Sequence, residues 1–218
     1  MKDPLADGVV DLARMVYRLA DIQRATRLPD GIRPESDSDH TLMLGVIACA
    51  YAAEVSPELD LGLIAQFALV HDLVESYAGD TNTFGGLDAS RKADKEKREA
   101  EALTRIEAEF GSVFPWLLTT IHEYESLASP EARFVKVLDK IAPKITHLLN
   151  NLVVLRDEDA FNKHIESQEE VLRMTYGHDQ EEALILYRAM AAKVTTAFRS
   201  AKSQASAQGT DVQEETKR

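Results

Sequence analysis

The stretch LGLIAQFALVHDLVESYAGDT, residues 61–81, decides the fold class. Ten residues, almost all apolar, end abruptly in an imidazole, three carboxylates and a glycine. Too few alternating positions are present for a half-buried strand, and the run is too short to cross a bilayer, which takes roughly 20 apolar residues. A buried helix covering about Leu59 to Ala78 fits. On such a helix His71 and Glu75 are i,i+4 and Asp72 and Glu75 are i,i+3, so the three side chains share one flank at its end. Either a polar helix end happens to meet the surface there, or the stretch forms the floor of a metal site.

Outward from this stretch the same period recurs. A first helix is expected from about Gly8 to Arg27, with Val9, Leu12, Met15, Val16 and Leu19 on one stripe. LPDGIRPES interrupts it with two prolines and a glycine. A second helix should start near Ser38, with Ser36 and Asp37 as capping candidates, and run to about Glu54. Beyond the polar loop GDTNTFGGLD, a charged helix is expected over about Ala89 to Phe110, its mixed signs reading as a solvated face. A short helix after Gly111 and one from about Pro130 to Leu155, kinked at Pro143, come next. Helices over about Asp157 to Tyr176 and His178 to Ser200 follow. No strand alternation is evident. The expected fold is all-α, a single domain over 1–202 with its core at about 10–155, followed by a disordered tail at 203–218, which is nearly devoid of apolar residues.

Composition narrows the function. Hydrophobic residues make up 44% and charged residues 28% of the 218, the balance of a soluble globular protein. The net charge of −12 argues against a nucleic-acid polymer as partner, since binding one needs a basic surface. No membrane association is expected, and MKDPLADGVV lacks the layout of a signal peptide. The lone Cys49 fits a reducing cytoplasm and reads as filler on a small-residue helix face. An anionic small-molecule substrate remains compatible, provided that a metal or a few arginines reverse the field locally.

Two further residues give His71 and Asp72 company. His40 stands at the start of an apolar helix, in SDSDHTLML. Asp139 interrupts the face formed by Phe134, Val135, Leu138 and Ile141, where an unpaired carboxylate costs several kcal/mol, on the order of a lost ion pair. Imidazole plus carboxylate suits a borderline divalent ion. The order H…HD…D resembles the HD-domain superfamily of metal-dependent phosphohydrolases. HDLVESYAGDT is similar to the HDxxE…GD pattern of its 5′-deoxynucleotidase group, including the HD-domain-containing 2 proteins. Arg33-Pro34-Glu35-Ser36-Asp37-Ser38-Asp39-His40 resembles the group's R-x-E-x-x-x-E-H, with Asp39 in place of the last Glu. KEKREAEAL and FVKVLDKI extend the likeness over roughly residues 10–155.

The resemblance implies an HD-domain helical bundle around a metal held by His40, His71, Asp72 and Asp139. It implies that Glu75 positions or deprotonates the attacking water, and that Asp80 helps to hold that water or the phosphate. A divalent cofactor (manganese, cobalt, magnesium, iron or zinc) and a small nucleotide substrate follow, with phosphate released from (deoxy)nucleoside 5′-monophosphates. A homodimer is expected by analogy. Arg33 matches the family arginine, Arg24 lies one position from another, and Lys136 shares the face of Asp139; these are the expected phosphate contacts. Lys144 and the cluster Arg91, Lys92 and Lys95 are weaker candidates. The group's bacterial member carries a Trp where this chain reads QRATR, which puts deoxyribose preference in question. His122, His147, His164 and His178 read as structural residues, and Trp116 as core or helix packing. Hydrolysis of an alarmone or a cyclic dinucleotide is the enzymatic alternative, although alarmone hydrolases usually follow HD with two adjacent acids, whereas Glu75 is followed by Ser76. A non-catalytic, metal-stabilised interaction module is the alternative of another class.

Overall fold

The computed structural model describes residues 3–155 and 157–215, of which 205–215 are described by backbone alone. Among the described residues there are nine helices and one two-stranded sheet. The sequence reading of an all-α bundle therefore holds, with one small addition.

Helix α1, Pro4–Asp21, starts on the Asp3 side chain, which accepts from the Leu5 and Ala6 amides, with proline at its first turn. It stops six residues before the expected end. Gln23–Arg27 is instead strand β1, paired antiparallel with β2, Pro34–Ser36. The turn between them explains the change: Asp30 accepts from the amides of Ile32 (2.7 Å) and Arg33 (3.0 Å), and Gly31 sits at φ 70°. The hairpin is too short and too polar to show alternation. Buried Glu35 ties it to the bundle by accepting from Thr26 and, at 3.2 Å, from the Thr146 hydroxyl.

Helix α2, Asp37–Val55, opens with a capping box in which Ser36 and Asp39 exchange side-chain and backbone hydrogen bonds. Helix α3, Leu61–Val70, is capped by Asp60 and buries Ile64, Phe67, Ala68 and Val70. Gly45 faces Ala68 where the two helices pack. The single helix expected to Ala78 is broken. Residues 71–74 form a tight turn with Leu73 N–H to Val70 O and Glu75 N–H to Asp72 O, and α4 covers Glu75–Ala78. Gly79, at φ 74°, ends it.

The charged helix α5 spans Ala89–Phe110 and buries Ala102, Ile106 and Phe110, one residue per turn. Helix α6, Pro115–Ser126, and α7, Pro130–Leu149, complete the bundle, with α7 running through Pro143. The expected continuation of α7 to Leu155 is replaced by a turn in which Asn151 and Leu152 adopt positive φ. Helix α8, Glu158–Tyr176, packs on α9, Glu181–Glu215, which in turn packs on α7, and Phe161, Ile165, Ala183, Leu184 and Tyr187 join the core. The sequence reading leaves these helices without a role; they complete the same core as α2, α3 and α7. The tail expected at 203–218 overlaps the α9 backbone to Glu215, and 216–218 lie outside the described residues. Trp116 is half exposed and donates to Gln66 Oε1 of α3 at 2.8 Å, so of the two expected places it takes the helix-packing one and not the core; Cys49 is half-buried. No described helix is long and apolar enough to cross a membrane.

Candidate metal centre

Three helix segments converge on one point. His40 comes from the first turn of α2, His71 and Asp72 from the turn that ends α3, and Asp139 from the middle of α7. One donor atom from each lies within 4.8 Å of the others. His40 Nε2 stands 3.1 Å from Asp139 Oδ1 and 4.0 Å from Asp72 Oδ2, and His71 Nε2 stands 2.9 Å from Asp72 Oδ2. Both imidazoles and Asp139 are buried.

The fit to a cation can be tested on His71. Its Nδ1 donates to the Ala68 carbonyl at 2.8 Å, which leaves the Nε2 lone pair aimed at the carboxylates. That Nε2 is buried and has no hydrogen-bond partner. Burial opposes a charge on the ring, yet Asp72 and Asp139 beside it raise the His71 pKa above its ordinary value. Burial would likewise raise Asp72, but His71 and Arg24 hold it below the usual carboxylate range. Two nitrogens and two carboxylates around an orphaned lone pair are the donor set of a borderline divalent ion.

Sequence reading missed Asp37, which is fully buried at the first residue of α2, one helical turn before His40. Arg24 joins it to the centre: its Nη1 donates to Asp37 Oδ1 and Asp72 Oδ2, each at 3.0 Å. A second cluster of Asp37, Asp72 and Glu75 results. Burial, together with Asp72, Asp37 and Asp80, pushes the Glu75 carboxyl up to about 10, and it hydrogen-bonds Asp37. Lys140, also missed although it directly follows Asp139, donates to Asp139 Oδ2 at 2.8 Å. Five carboxyl groups (Asp37, Asp72, Glu75, Asp80, Asp139) thus gather here, with Arg24 and Lys140 bonded directly to them, an acidic setting that suits a divalent ion. Tyr124 is a third omission: its buried hydroxyl lacks a partner and its ring meets His71 edge-on at 6.3 Å.

Two cavities meet at this centre. The first, about 390 Å³, is polar and holds Glu75, Asp80, Lys136 and Lys95 around the donor cluster. Arg33 does not reach it. Its guanidinium grips Asp39 at 3.0 and 3.2 Å on the outside of the α2 start, so it supports the capping box and does not face the cavity. Arg91 and Lys92 also lie outside both cavities. The second cavity, about 450 Å³, shares Arg24, Asp80, Asp139 and Lys140 with the first and extends under α8 to Lys144, His147, His164 and Gln168. His147 and His164, read from sequence as structural, therefore line a chamber; the placement of α8, which packs on α9, brings His164 there.

Burial, reinforced by Lys140, lowers the Lys144 amine to about 7. A lysine with a depressed folded pKa binds fewer protons than in the unfolded chain, so folding stability rises with pH between about 7 and the ordinary lysine range. Lys144→Met is expected to stabilise the fold by about 1–3 kcal/mol below pH 7, shrinking as pH approaches 10. Denaturant melts across that range check it; an unchanged or lowered stability at pH 6 contradicts it.

Comparison with known proteins agrees with this geometry. The chain is 30% identical over 142 residues to 5′-deoxynucleotidase hdd1 of Schizosaccharomyces pombe, covering 61% of this chain and 67% of that protein. It is 31% identical over 137 residues to 5′-deoxynucleotidase HDDC2 of Homo sapiens, covering 62% and 64%. The chain thus spans about two thirds of the length of these curated relatives. A crystal structure described as a predicted metal-dependent phosphohydrolase from Magnetospirillum magnetotacticum MS-1 superposes with a TM-score of 0.72 at 22% identity, over 88% of this chain and 93% of that one. PH0347 of Pyrococcus horikoshii OT3 superposes with a TM-score of 0.56 at 24% identity, over 82% and 99%. The family profile described as HD domain matches residues 16–177, a span that runs from α1 through His40, His71, Asp72 and Asp139 to the end of α8. The chain belongs to the HD domain family.

Proposed function

We propose that this protein is a divalent-metal-dependent phosphomonoesterase that releases phosphate from (deoxy)nucleoside 5′-monophosphates. The observation that carries the reading is the junction of a polar cavity holding the donor cluster with a second chamber large enough for a small organic group. His40, His71, Asp72 and Asp139 are the proposed ligands. A divalent ion held by these four side chains would supply charge neutralisation for the phosphoryl group and would make the attacking water more acidic.

The chain's own residues do the rest. Glu75, beside Asp72 and within the polar cavity, accepts the proton of the attacking water. Its high pKa arises from burial and neighbouring carboxylates, charges that a bound cation offsets. Asp80, on the rim between the two cavities, orients that water. Arg24 and Lys140, already drawn into the cluster, and Lys136 on the wall of the polar cavity place positive charge around the phosphate oxygens. Names of relatives at about 30% identity that act as 5′-deoxynucleotidases support the same substrate class.

The test is phosphate release from deoxy- and ribonucleoside 5′-monophosphates of each base, with manganese, cobalt or magnesium added. Metal-dependent release from this panel, abolished by a chelator, is expected. Metal bound at full occupancy with no release from any nucleotide would leave the chain a metal-stabilised helical module.

A further inference from the structure

The outer surface of the bundle holds a feature that phosphate hydrolysis does not use. Helices α2 and α3 pack as an antiparallel pair, with Gly45 facing Ala68 and the Cys49 thiol donating to the Leu61 carbonyl at 3.8 Å. From Thr41 to Ala53, and again from Leu61 to Val70, the pair carries no charged side chain. A helix that is apolar all round belongs in an interior. Yet Leu42 and Val46 are 69% and 62% exposed, Leu61 and Leu69 are exposed with them, and Ala50 and Ala53 complete the outer row of α2. Positions 42, 46, 50 and 53 share one flank of α2, and 61, 65 and 69 share one flank of α3. Helices α1, α5, α8 and α9, by contrast, all expose charged side chains.

The outer row of α2 runs about 16 Å, and two helix axes 8–10 Å apart make the face about 20 Å wide, a flat footprint on the order of 300 Å². A contiguous apolar patch of that order marks an interaction site on a soluble protein. Its border on the α3 side is Trp116 of α6, half exposed and held by the hydrogen bond from its indole N–H to Gln66 Oε1 at 2.8 Å. Tryptophan is among the residue types that most often anchor a protein interface. A standard interface takes roughly 800 Å² from each partner, an apolar core within a polar rim, and this footprint suits such a core. None of these side chains lines either cavity, so covering the face leaves the candidate site open.

The chemistry of the face selects its occupant. A nucleic acid or an anionic bilayer needs basic residues at the contact, and neither helix carries a lysine or arginine. The net charge of −12 sets two copies of the chain against each other over most of their surface, and a charge-free face is where they can meet. A two-fold axis places the same patch against itself, which asks for no complementary charge pattern. We propose that the outer face of α2 and α3 is the contact between two copies of this chain, each helix pair packing on its counterpart with Trp116 at the edge. This gives the homodimer expected by analogy a specific face, and it is independent of the nucleotidase reading.

The experiment is sedimentation of the full chain over a dilution series reaching about 100 μM, above the Kd of a standard-size interface. Trp116 emission is read across the same series. The wild-type chain should sediment as a dimer, and Trp116, the only tryptophan, should emit at shorter wavelength there than in a monomeric variant. Val46→Glu buries two carboxylates in each dimer and should raise the dissociation constant at least about 100-fold. Leu61→Glu should do the same, and at the first residue of α3 its carboxylate favours the helix, so the fold is kept. Val171→Glu, at an exposed position of α8, should leave the dimer intact. Far-UV circular dichroism separates dissociation from unfolding in each variant. A dimer that Val46→Glu and Leu61→Glu leave intact, or one whose loss leaves Trp116 emission unchanged, uses another face and overturns the proposal. A wild-type chain that stays monomeric throughout the series overturns it as well, and leaves the face to a different partner.

Discussion

Asp139→Ala is expected to abolish metal binding and turnover together while leaving the bundle folded. Asp139 contributes one of four donors, and its two oxygens are divided between His40 Nε2 at 3.1 Å and Lys140 Nζ at 2.8 Å. Its removal deletes a proposed ligand and also frees the Lys140 ammonium beside His40, His71 and Arg24, so the local field turns against a cation. Affinity for manganese or cobalt should fall by at least about 100-fold, more than loss of an outer hydrogen-bond partner costs. Phosphate release should drop by about three orders of magnitude. The fold should survive, because Val135, Leu138, Ile141 and Ala142, which anchor this part of α7, are untouched. Thermal melts separate these effects. The wild-type protein should gain about 2.7 kcal/mol of stability at a hundredfold excess of metal over Kd, and the variant nothing. A variant that still shows the metal-dependent rise has kept its site, and Asp139 is then not a ligand.

How far such a site can be read from the chain depends on the range of the interactions that build it. Helix α5 is legible to the residue because its signals are local: Asp88 caps it, Gly111 follows it, and Ala102, Ile106 and Phe110 repeat at the helical period. The residues that gather at the centre are legible for a different reason, since imidazoles and carboxylates are conspicuous inside apolar helices. The hairpin is not legible. Its strands are QRATR and PES, polar and short, and they hold because buried Glu35 links Thr26 to Thr146, a contact spanning 111 residues on one side. The break after Val70 is hidden for a similar reason: LVHDLVES has unbroken helical composition, and i,i+3 bonds replace the expected winding only where His71 turns back to the Ala68 carbonyl. Asp37 reads as a helix cap until Arg24 and Glu75 are seen against it. Nothing in the chain separates Arg24, expected near a helix end, from Arg33, expected in a loop, as phosphate contacts, yet the hairpin turns Arg24 inward and Arg33 out to Asp39. The second chamber is the least legible feature, because its lining comes from distant parts of the chain, as where Gln168 of α8 meets Lys144 of α7.

The second large effect is expected from Glu75→Gln, which should lower kcat by about 10²–10⁴-fold while metal binding stays within about threefold of wild type. The substitution keeps the shape of a buried side chain and, through its amide, a hydrogen bond to Asp37, but it cannot accept a proton. Its value lies in separating two roles that the geometry places close together. Glu75 sits with Asp37 and Asp72 in a cluster whose oxygens lie within 4.8 Å, so a ligand role competes with that of proton acceptor. If Glu75 were a ligand, metal affinity would collapse along with kcat; if turnover stayed within about tenfold of wild type, the proton-acceptor role would be lost. A stability profile of the metal-free protein gives an independent check. The Glu75 carboxyl is raised to about 10 by burial and by Asp72, Asp37 and Asp80, far above its ordinary 4.5. Between those limits the folded protein therefore binds more protons than the unfolded chain, and stability falls as pH rises, by at most about 1.4 kcal/mol per unit from this group. The variant lacks that contribution. From pH 6 to 9 its metal-free stability should therefore decline less steeply than that of the wild type. Parallel slopes would place the Glu75 proton elsewhere, and with it the base that the hydrolysis requires.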